Sequence, residues 1–145
     1  MQVDTSRFGT IAIKEEELIT FPWGIPGFEN LKSYVLLEYK SGPFQWLQSV
    51  EEPSVAFVVC APDFLELVYS TPDAKKNLIK LESDDDLVVL NIVSFNPEKG
   101  AMRFHVRSPL LFNVAARIGY QWTMEADELK QCLTMPVGDY PQTEL

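Results

Sequence analysis

Residues able to carry chemistry are scarce in this chain. It has two cysteines, Cys60 and Cys132, and one histidine, His105. No CxxC spacing occurs, and a zinc site needs about four nitrogen, sulfur or carboxylate ligands. No metal site is therefore expected. No glycine-rich loop opens a helix, so no phosphate cradle is visible, and Ser49 has no G-x-S-x-G setting. No apolar run approaches the roughly 20 residues of a membrane span. The opening Met1-Gln2-Val3-Asp4-Thr5-Ser6-Arg7 lacks a basic stretch followed by an apolar one. The expectation is a cytoplasmic protein without membrane contact, cofactor or catalytic residue. Basic residues are also in the minority, 12 Lys and Arg against 21 Asp and Glu, for a net charge of −9. That balance disfavours direct nucleic-acid binding, whose main affinity term is phosphate neutralisation. It favours solubility and attraction to basic partners.

Proline, glycine and aromatics concentrate in one place, Ile19-Thr20-Phe21-Pro22-Trp23-Gly24-Ile25-Pro26-Gly27-Phe28-Glu29. The prolines fix φ and the glycines permit positive φ. The apolar residues between them demand burial. The stretch reads as a rigid turn that ends one strand and returns the chain to the core. Phe21 and Phe28 are expected inside. Trp23 and Ile25 are candidates for a contact surface at the tip, and Trp23 fits the core as readily.

The rest of the chain, 145 residues in all, reads as one domain over 1–137 with a polar tail at 138–145. Phe8–Lys14, Leu18–Phe21, Tyr34–Tyr39, Phe44–Val50 and Leu87–Phe95 have strand character. Val55–Ala61 is apolar throughout, as in a strand buried on both faces. Ala101–Arg107 alternates, with Met102, Phe104 and Val106 inward and Arg103, His105 and Arg107 outward. Tyr120–Met124 is a last strand after a turn at Arg117-Ile118-Gly119. Phe28–Leu31 fits one helical turn. Thr71 reads as the N-cap of a short helix with Pro72 in its first position. Asp127–Leu133 fits a terminal helix. Closely spaced strands with turns between them predict an all-β fold, a sandwich or a barrel, with one or two short helices.

His105 is the one candidate base, yet its position on a polar strand face beside Arg103 and Arg107 fits a solvated histidine. Asp84-Asp85-Asp86 lacks the ligand order of an EF-hand loop and fits a solvated turn. Gln45, Gln48, Asn91, Asn113 and Gln121 can furnish a ligand pocket if they point inward. The segment Phe64-Leu65-Glu66-Leu67-Val68-Tyr69 is too apolar for an ordinary exposed loop. It serves either as a docking surface, through Phe64, Leu65 and Tyr69, or as packing on the barrel.

Three stretches together resemble the FliW family of bacterial flagellar assembly factors. They are Phe8-Gly9-x-Ile11, the turn from Ile19 to Glu29, and Pro43-Phe44-x-Trp46-Leu47-Gln48-Ser49-Val50-Glu51 followed by Ala56-Phe57-Val58-Val59. A family segment Asn-Leu-x-Ala-Pro-Ile corresponds to His105-Val106-Arg107-Ser108-Pro109-Leu110, followed by Asn113 and Gly119-Tyr120-Gln121. The family's Asn and Ala are thus His105 and Ser108 here. The resemblance spans roughly 1–137. It implies a small closed or partly open β-barrel-like domain with one or two short helices, acting as a non-enzymatic chaperone-like factor in flagellum biogenesis with two partners. One is flagellin. The other is CsrA, a repressor of flagellin translation, released when flagellin takes its place. On this reading Glu51, Glu52, Glu66, Asp84, Asp85 and Asp86 are candidates to face basic CsrA. Phe64, Leu65 and Tyr69 are candidates to face flagellin. A flagellin-only chaperone and a small-ligand-binding barrel or enzyme subunit are the alternatives.

Overall fold

The computed structural model describes residues 1–38 and 42–134. The strand end expected at Tyr39, the turn residue Ser41 and the tail boundary after residue 137 lie outside the described residues. The architecture is β-rich, in agreement with the expected class. Its strands are β1 (Gln2–Thr5), β2 (Gly9–Ala12), β3 (Ile19–Thr20), β4 (Ser33–Glu38), β5 (Phe44–Ser49) and β6 (Ala56–Cys60). They continue with β7 (Val68–Tyr69), β8 (Leu87–Asn96), β9 (Ala101–Phe104), β10 (Leu110–Asn113), β11 (Ile118–Gln121) and β12 (Leu133–Thr134). Two short helices, α1 (Asp73–Leu78) and α2 (Ala126–Cys132), complete the set.

The main sheet closes on itself. Its order is β10-β11-β3-β4-β5-β6-β8, and β8 pairs back onto β10, giving a barrel-like ring. The length of β8 makes this possible. Leu87–Leu90 pair with β10, Asn91–Val93 pair with β6 on the opposite edge, and Val93–Asn96 pair with β9. β9 and β10 are in effect one strand with an interruption. Phe104 faces Val93 and Leu110 faces Leu90, so His105–Pro109 lie opposite only Asn91 and Ile92. The surplus residues loop out as a wide bulge.

Strand alternation divides the apolar residues between two sides of the ring. Ile19, Tyr34, Leu47, Val59, Leu90, Ile92, Leu110 and Phe112 fill the interior with Phe21 and Ile25 from the proline-glycine turn. The alternate residues of the same strands face outward and are covered by the remaining elements. The β1–β2 hairpin covers Val35 with Val3 and Ile13. Leu67, Tyr69, Leu129 and Leu133 cover Cys60, Val93 and Phe104. Ile79, Trp122 and Met124 cover Leu111. Val58 and Val59 of β6 thus reach opposite sides, as the continuous apolar run predicts.

Several local expectations are corrected. Phe28–Leu31 forms consecutive tight turns, with Phe28 N–H donating to the Ile25 carbonyl at 2.6 Å and Leu31 N–H to the Phe28 carbonyl at 3.0 Å. Helix α1 starts at Asp73 with Pro72 as its N-cap, and the Thr71 hydroxyl makes no capping bond. Ile118 and Gly119 belong to β11, so the preceding turn ends at Arg117, with φ of 59°. Met102 is exposed, whereas Val106 is buried although it lies in the bulge. A further strand, β1, pairs with β2 from Gln2 onward.

Candidate interaction surface

The proline-glycine turn and the His105–Pro109 bulge meet at one open cleft. Pro26 and Phe28 line it from the turn, His105, Arg107 and Ser108 from the bulge, Phe57, Ser94 and Gln121 from the strands, and Thr123 from just beyond β11. It measures about 490 Å³. One wall is apolar and the other polar, which suits a peptide side chain flanked by hydrogen-bonding groups. Within it Ser94 Oγ and His105 Nε2 stand 2.6 Å apart. Gln121 Nε2 donates to the Ser108 carbonyl at 3.1 Å and fixes the bulge to β11. A second, smaller hollow shares Pro26, Gln121 and Thr123 and is bounded by Trp23 and Tyr120. These two rings meet edge to face, with centroids 5.5 Å apart.

The turn owes its shape to close packing. Phe21 N–H donates to the Lys32 carbonyl at 2.7 Å and Gly24 N–H to the Phe21 carbonyl at 2.9 Å. Gly24 has a φ of +68°, and a Cβ there would stand 2.6 Å from the Glu29 Cα. Only glycine fits both conditions. The result separates the two tip candidates. Trp23 is 49% exposed, whereas Ile25 is 1% exposed within the interior. Ile25 is thereby a core residue and supports the cleft from beneath. Phe28, expected inside, is instead partly exposed and rests its ring against Phe57 at 5.2 Å.

The bulge is tied from behind. The Tyr69 hydroxyl donates to the Val106 carbonyl at 2.5 Å and accepts from Asn91 Nδ2 at 2.8 Å. Burial pushes the Tyr69 phenol up to about 12; the Asn91 bond works against that and nearby Cys60 adds to it. Tyr69 is therefore a tie between β7 and the bulge, half-buried, as packing on the barrel requires. Leu65 is half-buried and packs onto the outer cluster beneath β9. Of Phe64, Leu65 and Tyr69 only Phe64 is prominent, at 51% exposed, its ring edge-on to Phe44 and tilted against Phe104 with centroids 5.5 and 6.2 Å away. Glu66 is exposed and occupies a left-handed turn with φ of 58°.

The acidic candidates lie elsewhere. Asp84, Asp85 and Asp86 form a single 3-10 turn at the start of β8, capped by the Ser83 hydroxyl. Asp84 pairs with Lys76 at 2.9 Å. Asp84 and Asp85 are exposed and Asp86 is half-buried beside Lys80 and Asn113. Phe64 packs on Phe104, the register partner of Val93, so roughly 20 Å of strand separates the two groups at about 3.3 Å per residue. Glu51 is committed internally: its carboxylate accepts from the amides of Lys32 and Ser33.

The polar residues considered for a ligand pocket do not converge. Gln48 Nε2 donates to the Ser49, Pro53 and Val55 carbonyls. Asn91 holds Tyr69, and Asn113 Nδ2 holds the Ile79 carbonyl. Only Gln121 of that set lines the cleft. Among the described residues no group of three or more His, Cys, Asp or Glu is placed to hold a metal ion. No helix among them is long and apolar enough to cross a membrane.

Sequence reading missed two features. Phe95, 64% exposed, and Met102, 39% exposed, face each other across the β8–β9 hairpin. The charge is also segregated: from Lys99 to Met124 there is no Asp or Glu, while Lys99, Arg103, Arg107 and Arg117 fall within that stretch. A windowed charge count finds it directly.

A closed ring of short strands with an open cleft and no clustered metal ligands among the described residues defines a small β-rich protein whose distinctive geometry is its surface. Comparison with known proteins gives the family. The family model described as FliW protein matches residues 2–133. A flagellar assembly factor FliW from Caldicellulosiruptor bescii is 36% identical over 125 residues, covering 85% of this chain and 82% of that protein. One from Alkaliphilus metalliredigens is 36% identical over 131 residues, covering 88% and 81%. A crystal structure of the flagellar assembly factor FliW superposes with a TM-score of 0.79 at 26% identity, covering 87% of this chain and 90% of that one. The chain belongs to the FliW family of flagellar assembly factors.

Proposed function

We propose that this chain is a non-enzymatic cytoplasmic factor that binds flagellin and, in exchange, a CsrA-type translational regulator. The observation that carries this reading is its membership of the flagellar assembly factor family over nearly its whole described length. The division of charge supports two partners. A basic RNA-binding regulator suits the acidic turn at Asp84–Asp86 and the exposed Glu52 and Glu66. Flagellin suits the apolar surface carried by Phe64, with Trp23 at the rim of the second hollow. Exchange needs each partner to weaken the other by a coupling free energy of about 1–3 kcal/mol.

The test is calorimetric titration of this chain with flagellin and with the CsrA-type regulator of the same bacterium, followed by competition. Binding of both, with flagellin displacing the regulator, is the expected result. Binding of flagellin alone reduces the protein to an export chaperone. Binding of neither overturns the proposal.

A further inference from the structure

β9 has a strand neighbour on one side; among the described residues no strand pairs with its outer edge. The ladder gives the direction of its backbone groups. His105 N–H donates to the Ile92 carbonyl at 2.8 Å, and bonded and non-bonded pairs alternate along an antiparallel ladder. Arg103–Ser94 is then a bonded pair and Met102–Phe95 a non-bonded one. Met102 turns its N–H and C=O outward, to the open edge.

The side chains of the hairpin divide as cleanly. Val93, Phe95, Met102 and Phe104 share one face, and the ring of Phe64 extends it. Ser94 and Arg103 share the other, the face that continues into the cleft. Arg103 is exposed and lies in the stretch without acidic residues.

We propose that the open edge of β9 receives an extended segment of a partner protein that alternates apolar and acidic residues. Its backbone continues the ladder through Met102. Its apolar side chains lie over Met102 and Phe64, and its acidic ones meet Arg103. A second copy of this chain is the poorer occupant. Antiparallel self-pairing through Met102 brings the two Arg103 side chains to the same face. An edge arginine guards against self-association, and the same charge selects an acidic strand.

The test uses the full chain and two short synthetic peptides at millimolar concentration, one alternating valine with glutamate and one alternating valine with lysine. Neither peptide is flagellin or a CsrA-type regulator, so the result is independent of the exchange switch. The valine–glutamate peptide is expected to slow hydrogen exchange at the Met102 amide by about tenfold, and the valine–lysine peptide to leave it unchanged. Arg103→Glu, at an exposed position, is expected to reverse that preference. No slowing by the valine–glutamate peptide, or equal slowing by both, overturns the proposal. Slowing that grows with protein concentration before any peptide is added gives the edge to a second copy and overturns it equally.

Discussion

Phe21 rests on the bare backbone of Gly119: a Cβ at Gly119 would stand 2.5 Å from Phe21 Cζ. The ring has no room to retreat. It meets Tyr34 and Phe112 edge to face, with centroids 5.2 and 5.7 Å away. Gly119→Ala is therefore expected to overpack the interior and destabilise the protein by about 1–3 kcal/mol. Urea denaturation measures this as a lowered midpoint; an unchanged midpoint would show that the ring has space to move.

Tyr69→Phe removes the hydroxyl shared by Val106 and Asn91. Leaving such groups without a partner costs about 1–3 kcal/mol. The loss should be local as well as global. Amide exchange across His105–Ser108 is expected to quicken more than exchange in β4 or β5. A uniform change across the chain would contradict the assignment of Tyr69 as the tie that holds the bulge.

Two phenols should resist alkali. Burial, with a contribution from Glu51, pushes Tyr34 up to about 12, and burial pushes Tyr69 to a similar value. Both lie above the ordinary value of 10.0, so the folded state holds these protons more tightly than the unfolded state. The resulting stability is fully present below pH 10 and is lost as pH rises toward 12. Absorbance at the phenolate band should show two tyrosines titrating late, together with unfolding. Ordinary titration of all the tyrosines in a folded protein would refute the burial argument.

The segment from Phe64 to Tyr69 divides sharply into surface and support. Phe64→Ser is expected to change stability by less than about 1 kcal/mol, since half of the ring is already in water. It should still weaken flagellin binding. Leu65→Asp places a charge against the cluster beneath β9 and is expected to cost about 2 kcal/mol or more. Thermal melts of the two variants separate them, and equal melting temperatures would argue against the division.

Association with a CsrA-type regulator should depend on salt. If the acidic turn at Asp84–Asp86 steers a basic partner, raising ionic strength shortens the screening length from about 10 Å at 0.1 M to about 3 Å at 1 M. Stopped-flow association rates are expected to fall several-fold over that range, while dissociation changes less. A flat salt profile would remove the acidic turn from the interface.

Most of the strands are legible because their signals are local. Alternation in Ala101–Phe104 and the apolar run of β6 need no tertiary information. What escaped was set by distant contacts. Ile25 and Trp23 sit two residues apart in the same turn, and only the fold sends one inward and the other outward. The Tyr69 tie depends on Asn91 and Val106, far along the chain, and nothing in the spacing of β7 announces it. Thr71 fails as a cap because the helix starts one residue later than the proline rule suggests. The cleft joins residues from opposite ends of the sequence, so its motifs were visible separately while their meeting was not. The acid-free stretch was visible in the sequence, and a total net charge conceals it.

Ring closure through β8 also has a mechanical consequence. The seam to β10 ends at Leu90 and the support from β6 ends at Val93; beyond that point, among the described residues, each strand of the hairpin pairs only with the other. It behaves as a cantilever fixed to a closed hoop. A load applied at Phe95 or Met102 bends the arm and leaves the hoop shut. Substitutions at the tip are therefore expected to alter its surface without loosening the body of the molecule.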